Sequence, residues 1–440
     1  MSRTVAVIAG LVAVVAIVTI AVLVAGGSDD PAAAPQTTVP VTTTEPGTTA
    51  PPATPPPTTT TTPASRPPVF PRPVATEPPP GFDDLTDDLV AVAAPWPTDW
   101  SQRTIDLSEL KIGLPTFDPR DLIRPIDQPT YDSIAQADSW LVDREIGVLV
   151  DLGSIVRYYP LRILTSHEVL NDTVGNLPFV VTYCPLCNTA VAYDRRVDGE
   201  TLRFGVSGLL RNSDLVMWDD QTTSLWQQIT GEGIVGVHAG RQLTALPSAL
   251  VTWGDFKASH PDGEALSQNT GFGFNYGTNG YVGYSSRSAP FSSFFDAPLD
   301  ERLPALERVV GVRVGDAAKA YPFSVIGEPR AVNDELGGEP IAVWWADTDA
   351  ADNFAGEQPG TGRGIGTGIA FLRTLDGQVL TFSPADGTTF ADQETGSTWS
   401  ALGEAVAGPL AGSRLQLAPH QNEFWFAWRA FNPEAPVYGL

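Results

Sequence analysis

Residues 159–172 read YPLRILTSHEVLND, and residues 321–334 read YPFSVIGEPRAVND. Tyr159-Pro160 and Asn171-Asp172 of the first stretch return as Tyr321-Pro322 and Asn333-Asp334, both 162 residues later (321 − 159 and 333 − 171). Further matches follow in the same order. Pro178 matches Pro340, then Val191-Ala192-Tyr193 matches Ile369-Ala370-Phe371, and Asp198-Gly199 matches Asp376-Gly377. Asp219 and Trp226 match Asp392 and Trp399, and Gly236, Gly240, Leu243 and Pro247 match Gly408, Gly412, Leu415 and Pro419. Trp253-Gly254-Asp255-Phe256-Lys257-Ala258 matches Trp425-Phe426-Ala427-Trp428-Arg429-Ala430. Ordered self-similarity with a few slips in register is the mark of an internal repeat. Shared β-rich composition alone would not keep that order.

Each copy reads as strand-rich. Phe179 to Tyr183 and Ile341 to Trp345 are apolar runs of strand length. Val191 to Tyr193 and Thr201 to Val206 are further strands, with Asp198-Gly199 a hairpin turn between them. The spacing predicts a short helix over 161–170, ending at Asn171-Asp172, and a second over 250–260, stopped by Pro261. The expected fold is α+β, mainly β, in two pseudo-equivalent tandem copies. Copy one covers 145–262 and copy two 307–434; residues 81–144 precede them and 263–306 connect them.

The N-terminus is different in kind. An uncharged apolar run from Val5 to Ala25 has the length of a bilayer crossing. Arg3 before it and Asp29 and Asp30 after it put the N-terminus inside and the remainder outside. Residues 1–28 therefore read as a single-pass signal anchor, favoured over a cleaved signal because the apolar run is long. Residues 29–80 are rich in Pro, Thr and Ala, a composition that cannot pack a core, and read as a disordered, extended stalk. The folded part would then be extracytoplasmic, held off the cell membrane.

A net charge of −25, from 51 acidic and 26 basic residues, argues against nucleic acid as a partner, because phosphate binding needs a basic patch. A small-molecule or cell-envelope ligand remains open. The 11 Trp and 19 Phe suit a globular protein with large buried aromatics. The chain has two cysteines, Cys184 and Cys187, too few and too closely spaced for a disulfide framework.

The repeat supplies an internal control. Positions kept in both copies serve the fold; positions kept in one are candidates for function. At the same offsets Cys184 and Cys187 meet Ala346 and Asp349, His167 meets Pro329, and His260 meets Asn432. Copy one also holds Ser207 to Asp214, where copy two is five residues shorter, the change in offset from 178 to 173. Cys184 follows directly on a strand, and Pro185 discourages further pairing, so Cys-Pro-Leu-Cys sits in a turn. Two thiolates sharing one ligand suit a soft metal, copper or zinc, with His167 or His260 completing the set. Cys184 and Cys187 are also candidates for thiol–disulfide exchange, although a strand rather than a helix follows them. A structural disulfide in an oxidising compartment is the third reading. Arg211, Asn212 and Asp214 would line an adjacent polar, substrate-binding pocket. Oxidoreductase chemistry is the enzyme class these residues favour, and a non-enzymatic envelope-binding module is the alternative.

Thr182-Tyr183-Cys184-Pro185-Leu186-Cys187-Asn188-Thr189-Ala190 resembles the hallmark of the domain-of-unknown-function family numbered 3179. So do Tyr159-Pro160 with His167-Glu168 and Asn171-Asp172, Gly205-Val206-Ser207-Gly208 with Arg211 to Asp214, and Ser224-Leu225-Trp226-Gln227. The resemblance runs from about Arg120 to Pro433. It differs from the family pattern at Ser166, where an aromatic often precedes the histidine. It implies membership and no established activity.

Overall fold

A computed structural model of the chain describes residues 70–440 apart from Ser154 and Pro329. The expected anchor and residues 29–69 of the expected stalk lie outside the described residues. Residues 70–80, read as part of that stalk, instead bond to the folded part, with Arg72 Nη1 donating to Asp118 O and Arg120 O and Ala75 N donating to Pro95 O. Among the described residues no helix is long and apolar enough to cross a membrane.

The fold is mainly β. In the first half, the strands Val169–Val174, Leu177–Cys184 and Thr189–Asp194 form an antiparallel sheet, closed on its edge by Ala245–Leu246. Ser248–Thr252, Ile146–Asp151 and Val156–Pro160 form a second. Phe204–Arg211, Asp214–Asp219, Leu225–Gln227 and Gly233–Val235 form a third. The second half repeats these pairings. Ala331–Leu336, Glu339–Ala346, Thr367–Leu372 and Gln416–Leu417 form one sheet; Ala317–Pro322, Arg308–Val314 and His420–Phe424 another; Phe382–Pro384, Phe390–Asp392, Thr398–Trp399 and Ala405–Ala407 a third.

Residues 81–144 are woven into the first half rather than preceding it. Leu110–Ile112 pairs with Phe204–Arg211, and Tyr131–Ser133 pairs with Glu264–Leu266. Leu89, Trp96, Trp100 and Leu107 bury themselves against Leu209, Trp218 and Ile234.

The motif shared by both halves holds the sheets together. Asn171 lies at a sheet edge, and its side chain bonds the N–H and C=O of Phe204 in the neighbouring sheet, at 2.9 and 2.8 Å. Asn333 does the same to Phe382 at 2.8 Å each. Asp172 accepts from Tyr159 Oη at 2.5 Å, Arg157 Nη1 at 2.8 Å and Tyr131 Oη. Asp334 accepts from Tyr321 Oη at 2.9 Å and Lys319 Nζ at 2.7 Å. Asn171 and Asp172 are buried, whereas Asn333 is exposed and Asp334 half-buried. The Phe204 and Phe382 residues they serve are buried, and a buried backbone donor or acceptor left bare costs about 1–3 kcal/mol. Gly236 and Gly408 also match: both have positive φ, 100° and 94°, and a Cβ there would meet Ser224 or Ser397 at under 3.0 Å.

Two helix boundaries differ from the sequence expectation. The first helix is Leu161–His167 and stops there, because Glu168 takes φ 59° and a strand begins at Val169. Asn171-Asp172 is therefore in a strand and not at a helix end. The second helix is Trp253–Ser259, capped by Thr252, and Leu250 to Thr252 are the end of a strand. Both errors put β-branched and leucine residues into a helix that the long-range ladder claims as strand. The Asp198-Gly199 turn is as expected: Val197 pairs with Glu200, and both turn residues have positive φ, 51° and 88°.

Candidate metal centre

Leu177–Cys184 and Thr189–Asp194 pair in register up to Cys184 opposite Thr189. Pro185, Leu186, Cys187 and Asn188 are the loop between them. Asn188 closes it at φ 56°, a backbone region that asparagine tolerates. The expected turn places both sulfurs on one side of the loop, and both are free thiols, 2% and 0% exposed.

The third group comes from the segment where the first half is longer. Phe204–Arg211 and Asp214–Asp219 form a hairpin whose register slips at a bulge between Val206 and Leu209, then resumes to Arg211 opposite Asp214. In the second half the corresponding pairing ends at Pro384 opposite Phe390. The extra residues are thus the hairpin tip, turned by Asn212 and Ser213 with φ 50° and 64°. The tip carries Asp214 to the thiols. One donor atom each from Cys184, Cys187 and Asp214 lies within 4.8 Å of the others, and all three residues are buried.

The Asp214 carboxylate is fixed from behind. Its Oδ2 accepts from Gln227 Nε2 at 2.6 Å and from the Ile229 amide at 3.0 Å. Its Oδ1 has one long contact, with Thr189 Oγ1 at 3.5 Å. Cys184 Sγ reaches Ser213 O at 3.7 Å, and the buried Ser213 hydroxyl has no partner. The second half closes the loop from the far side. Phe424 N donates to Cys187 O at 2.9 Å, and Asn188 Nδ2 reaches Asn422 O at 3.5 Å. Glu423 beside them is fully buried; Arg313 Nη1 meets its Oε1 at 3.2 Å, and its Oε2 has no partner.

Burial dominates the electrostatics. It pushes the Asp214 carboxyl up to about 7, with the Gln227 and Ile229 hydrogen bonds opposing. It pushes Glu168 up to about 8, assisted by the Asp214 charge, and Glu423 up to about 7. Both thiols are raised for the same cause. Thiolate is therefore scarce until a cation replaces the protons.

A pH dependence follows for the metal-free protein. Carboxyls that titrate near ~4 unfolded hold their protons to 7–8 folded, so these groups stabilise the fold fully below about pH 4, and that stability is lost as pH rises through their folded values. His167 and His420, held near 4 by burial, act oppositely, but only up to their unfolded value of ~6.5. The melting midpoint is therefore expected to fall between pH 6.5 and 8, and Glu168→Gln to flatten the fall. A midpoint that rises over that interval would contradict this electrostatic picture.

Several of the expected site residues are elsewhere. His167 is buried with Nδ1 donating to Arg124 O and Nε2 accepting from Tyr276 Oη, both at 2.6 Å, among Phe272, Phe274 and Tyr276. Both ring nitrogens are used there. His260 stacks on Phe256, and its Nε2 accepts from Arg414 at 3.1 Å. Neither histidine belongs to the thiol cluster. Arg211 pairs with Glu109 at 2.7 Å, and Asn212 is a turn residue, so of the expected polar pocket Asp214 alone reaches the thiols. Glu168 and Glu423 went unassigned in the sequence. The repeat carried a signal for both: Glu168 faces Arg330, and Asn422-Glu423 faces the apolar Leu250-Val251.

The family model described as Protein of unknown function (DUF3179) matches residues 120–435. The chain belongs to that family. The match spans everything that builds the thiol site in this DUF3179 protein, from the hairpin tip to Phe424. Comparison with curated proteins and with solved structures gave no match. The chemistry of this DUF3179 chain therefore rests on its own residues.

Proposed function

We propose that the chain is a metal-binding protein whose first half holds one zinc ion through Cys184, Cys187 and Asp214. The observation that carries this reading is the convergence of three buried donors within 4.8 Å. Two sulfurs and one carboxylate oxygen suit zinc, whereas copper(I) prefers sulfur alone. Gln227 and the Ile229 amide hold the carboxylate as outer partners hold ligands in metal sites. Three protein ligands leave a fourth position for water or substrate, the pattern of reactive zinc sites. Thiol–disulfide exchange is less favoured, because buried thiols with raised pKa attack slowly.

The second half, in this reading, is a diverged copy that lost its thiols and now braces the first. The matched sheet pairings and the Asn and Asp bonds of both halves support it. The apolar run at 5–25 supports a single-pass anchor, with the folded part outside the cell membrane.

Calorimetric titration of zinc into the metal-free full chain tests the site. One equivalent is expected to bind and to release protons, since the thiols must ionise. Asp214→Asn, which removes an anionic ligand, is expected to weaken binding by at least about 100-fold, beyond the 10–100-fold typical of disturbed outer partners. Unchanged affinity in that variant, or no binding by the parent, would remove the proposal.

A further inference from the structure

Beside the thiol turn lies a cavity of about 70 Å³ whose walls include Ile123, Leu186, Leu215, Tyr281 and Phe291. Glu168 is the one carboxyl among its lining residues. Glu168 is 8% exposed, and no hydrogen bond to its carboxyl is found among the described residues.

The backbone conformation at Glu168 does not depend on its carboxyl. Glu168 has φ 59°; its amide donates to Leu164 O at 2.7 Å, and its carbonyl accepts from Tyr183 N at 2.8 Å. Arg330 holds the same conformation in the second half: φ 57°, amide to Ile326 O at 2.8 Å, carbonyl from Trp345 N at 2.8 Å. The left-handed link is thus common to both halves, while the side chain differs. Arg330 sends its guanidinium to Gly387 O. Glu168 turns to a cavity. The bulge at Ser207-Gly208 borders that cavity, and the second half lacks it. Bulges of this kind re-aim strands beside functional sites.

We propose that this cavity, lined by Leu186 of the thiol turn and not by Cys184, Cys187 or Asp214 themselves, is the substrate pocket beside the thiol site, and that it takes a small, largely apolar molecule with one O–H or N–H group donating to Glu168: a short alcohol or a primary amide. The size follows from the volume. About 10–15 Å³ of this measure holds a water and about 150 Å³ holds benzene, so about 70 Å³ suits roughly three to five non-hydrogen atoms. The preference against an anion follows from the lining: no Lys, Arg or His is among it, and the walls around Glu168 are almost all apolar, so a charged ligand would be desolvated without a cation to meet it. The role as substrate pocket rests on the zinc reading; the binding itself does not.

The test compares propionamide with propionate, which share shape but not charge, by ligand-detected NMR titration of the full chain with and without zinc. Saturable binding of propionamide, at least about tenfold tighter than propionate, is expected. Glu168→Leu should weaken propionamide about tenfold, the worth of one hydrogen bond. Glu168→Gln, which keeps an acceptor oxygen, should stay within about threefold of the parent. Leu215→Trp should abolish binding by filling the cavity. Equal binding of the two probes, indifference to Glu168→Leu, or no saturable propionamide binding would overturn the proposal. Because the titration is also read on the metal-free chain, and Glu168 variants are expected to keep one zinc, failure of the zinc reading and failure of the pocket are seen separately.

Discussion

Cys184→Ser is expected to lower zinc affinity by at least about 100-fold while leaving the fold intact. Serine keeps nearly the volume of cysteine, so the Leu177–Cys184 strand and its pairing to Thr189 have no reason to change. The hydroxyl is a hard donor that stays protonated at neutral pH, so one thiolate and one carboxylate would remain for a borderline ion. Disturbing only the outer partners of metal ligands already costs about 10–100-fold, and loss of a ligand costs more. Competition with a chromophoric chelator measures the affinity, and circular dichroism checks the fold. The second half supplies a natural counterpart: Ala346 and Asp349 stand at the matching offsets, and no group of metal-ligating residues is found there among the described residues. Affinity equal to the parent in Cys184→Ser would place the ion elsewhere.

Trp226→Ala is expected to destabilise the protein by about 3–5 kcal/mol, and Trp399→Ala by a similar amount, as for other large buried aromatics. Trp226 is fully buried, packs edge-on to Phe204 at 5.7 Å and donates to Asp219 Oδ2 at 2.9 Å. Trp399 is fully buried, packs edge-on to Phe382 at 5.6 Å and donates to Asp392 Oδ2 at 2.9 Å. Truncation removes the packing and also leaves a carboxylate short of a partner. Urea denaturation, followed by fluorescence, measures both. Equal costs are the expectation of two halves built alike. A cost under about 1 kcal/mol at either position would show that the matching tryptophan is not a core element.

How far the sequence could be read follows from the range of each interaction. The Cys-Pro-Leu-Cys turn and the Asp198-Gly199 hairpin are local, and local chemistry specifies them: proline stops the ladder, and an Asp-Gly pair accepts positive φ. Tyr159-Pro160 and Asn171-Asp172 are legible as structural because the same pairs recur at 321–322 and 333–334, although their work, joining two sheets, is not. The metal ligands were half legible. The thiols stand out because Ala346 and Asp349 occupy the matching offsets, but the same comparison and their residue type also single out His167 and His260, which are not partners. Where His167 points depends on Arg124 and Tyr276, more than 40 and 100 residues away along the chain. No spacing rule carries that. Asp214 was singled out because it lies in the longer segment, yet its role was misjudged. The extra residues extend a hairpin past a bulge, and only the register shows that Asp214 arrives at the sulfurs while Arg211 turns to Glu109. Glu168 is visible in the sequence only as part of His167-Glu168 and by facing Arg330 at the matching offset; that both residues hold a positive φ is not visible there.

X-ray absorption at the zinc edge on the zinc-loaded full chain tests the central claim most directly. The expected first shell has two sulfurs at about 2.3 Å and oxygen at about 2.0–2.2 Å, without the outer-shell scattering of imidazole. A shell of nitrogen and oxygen only, or one with imidazole scattering, would contradict the site built from Cys184, Cys187 and Asp214.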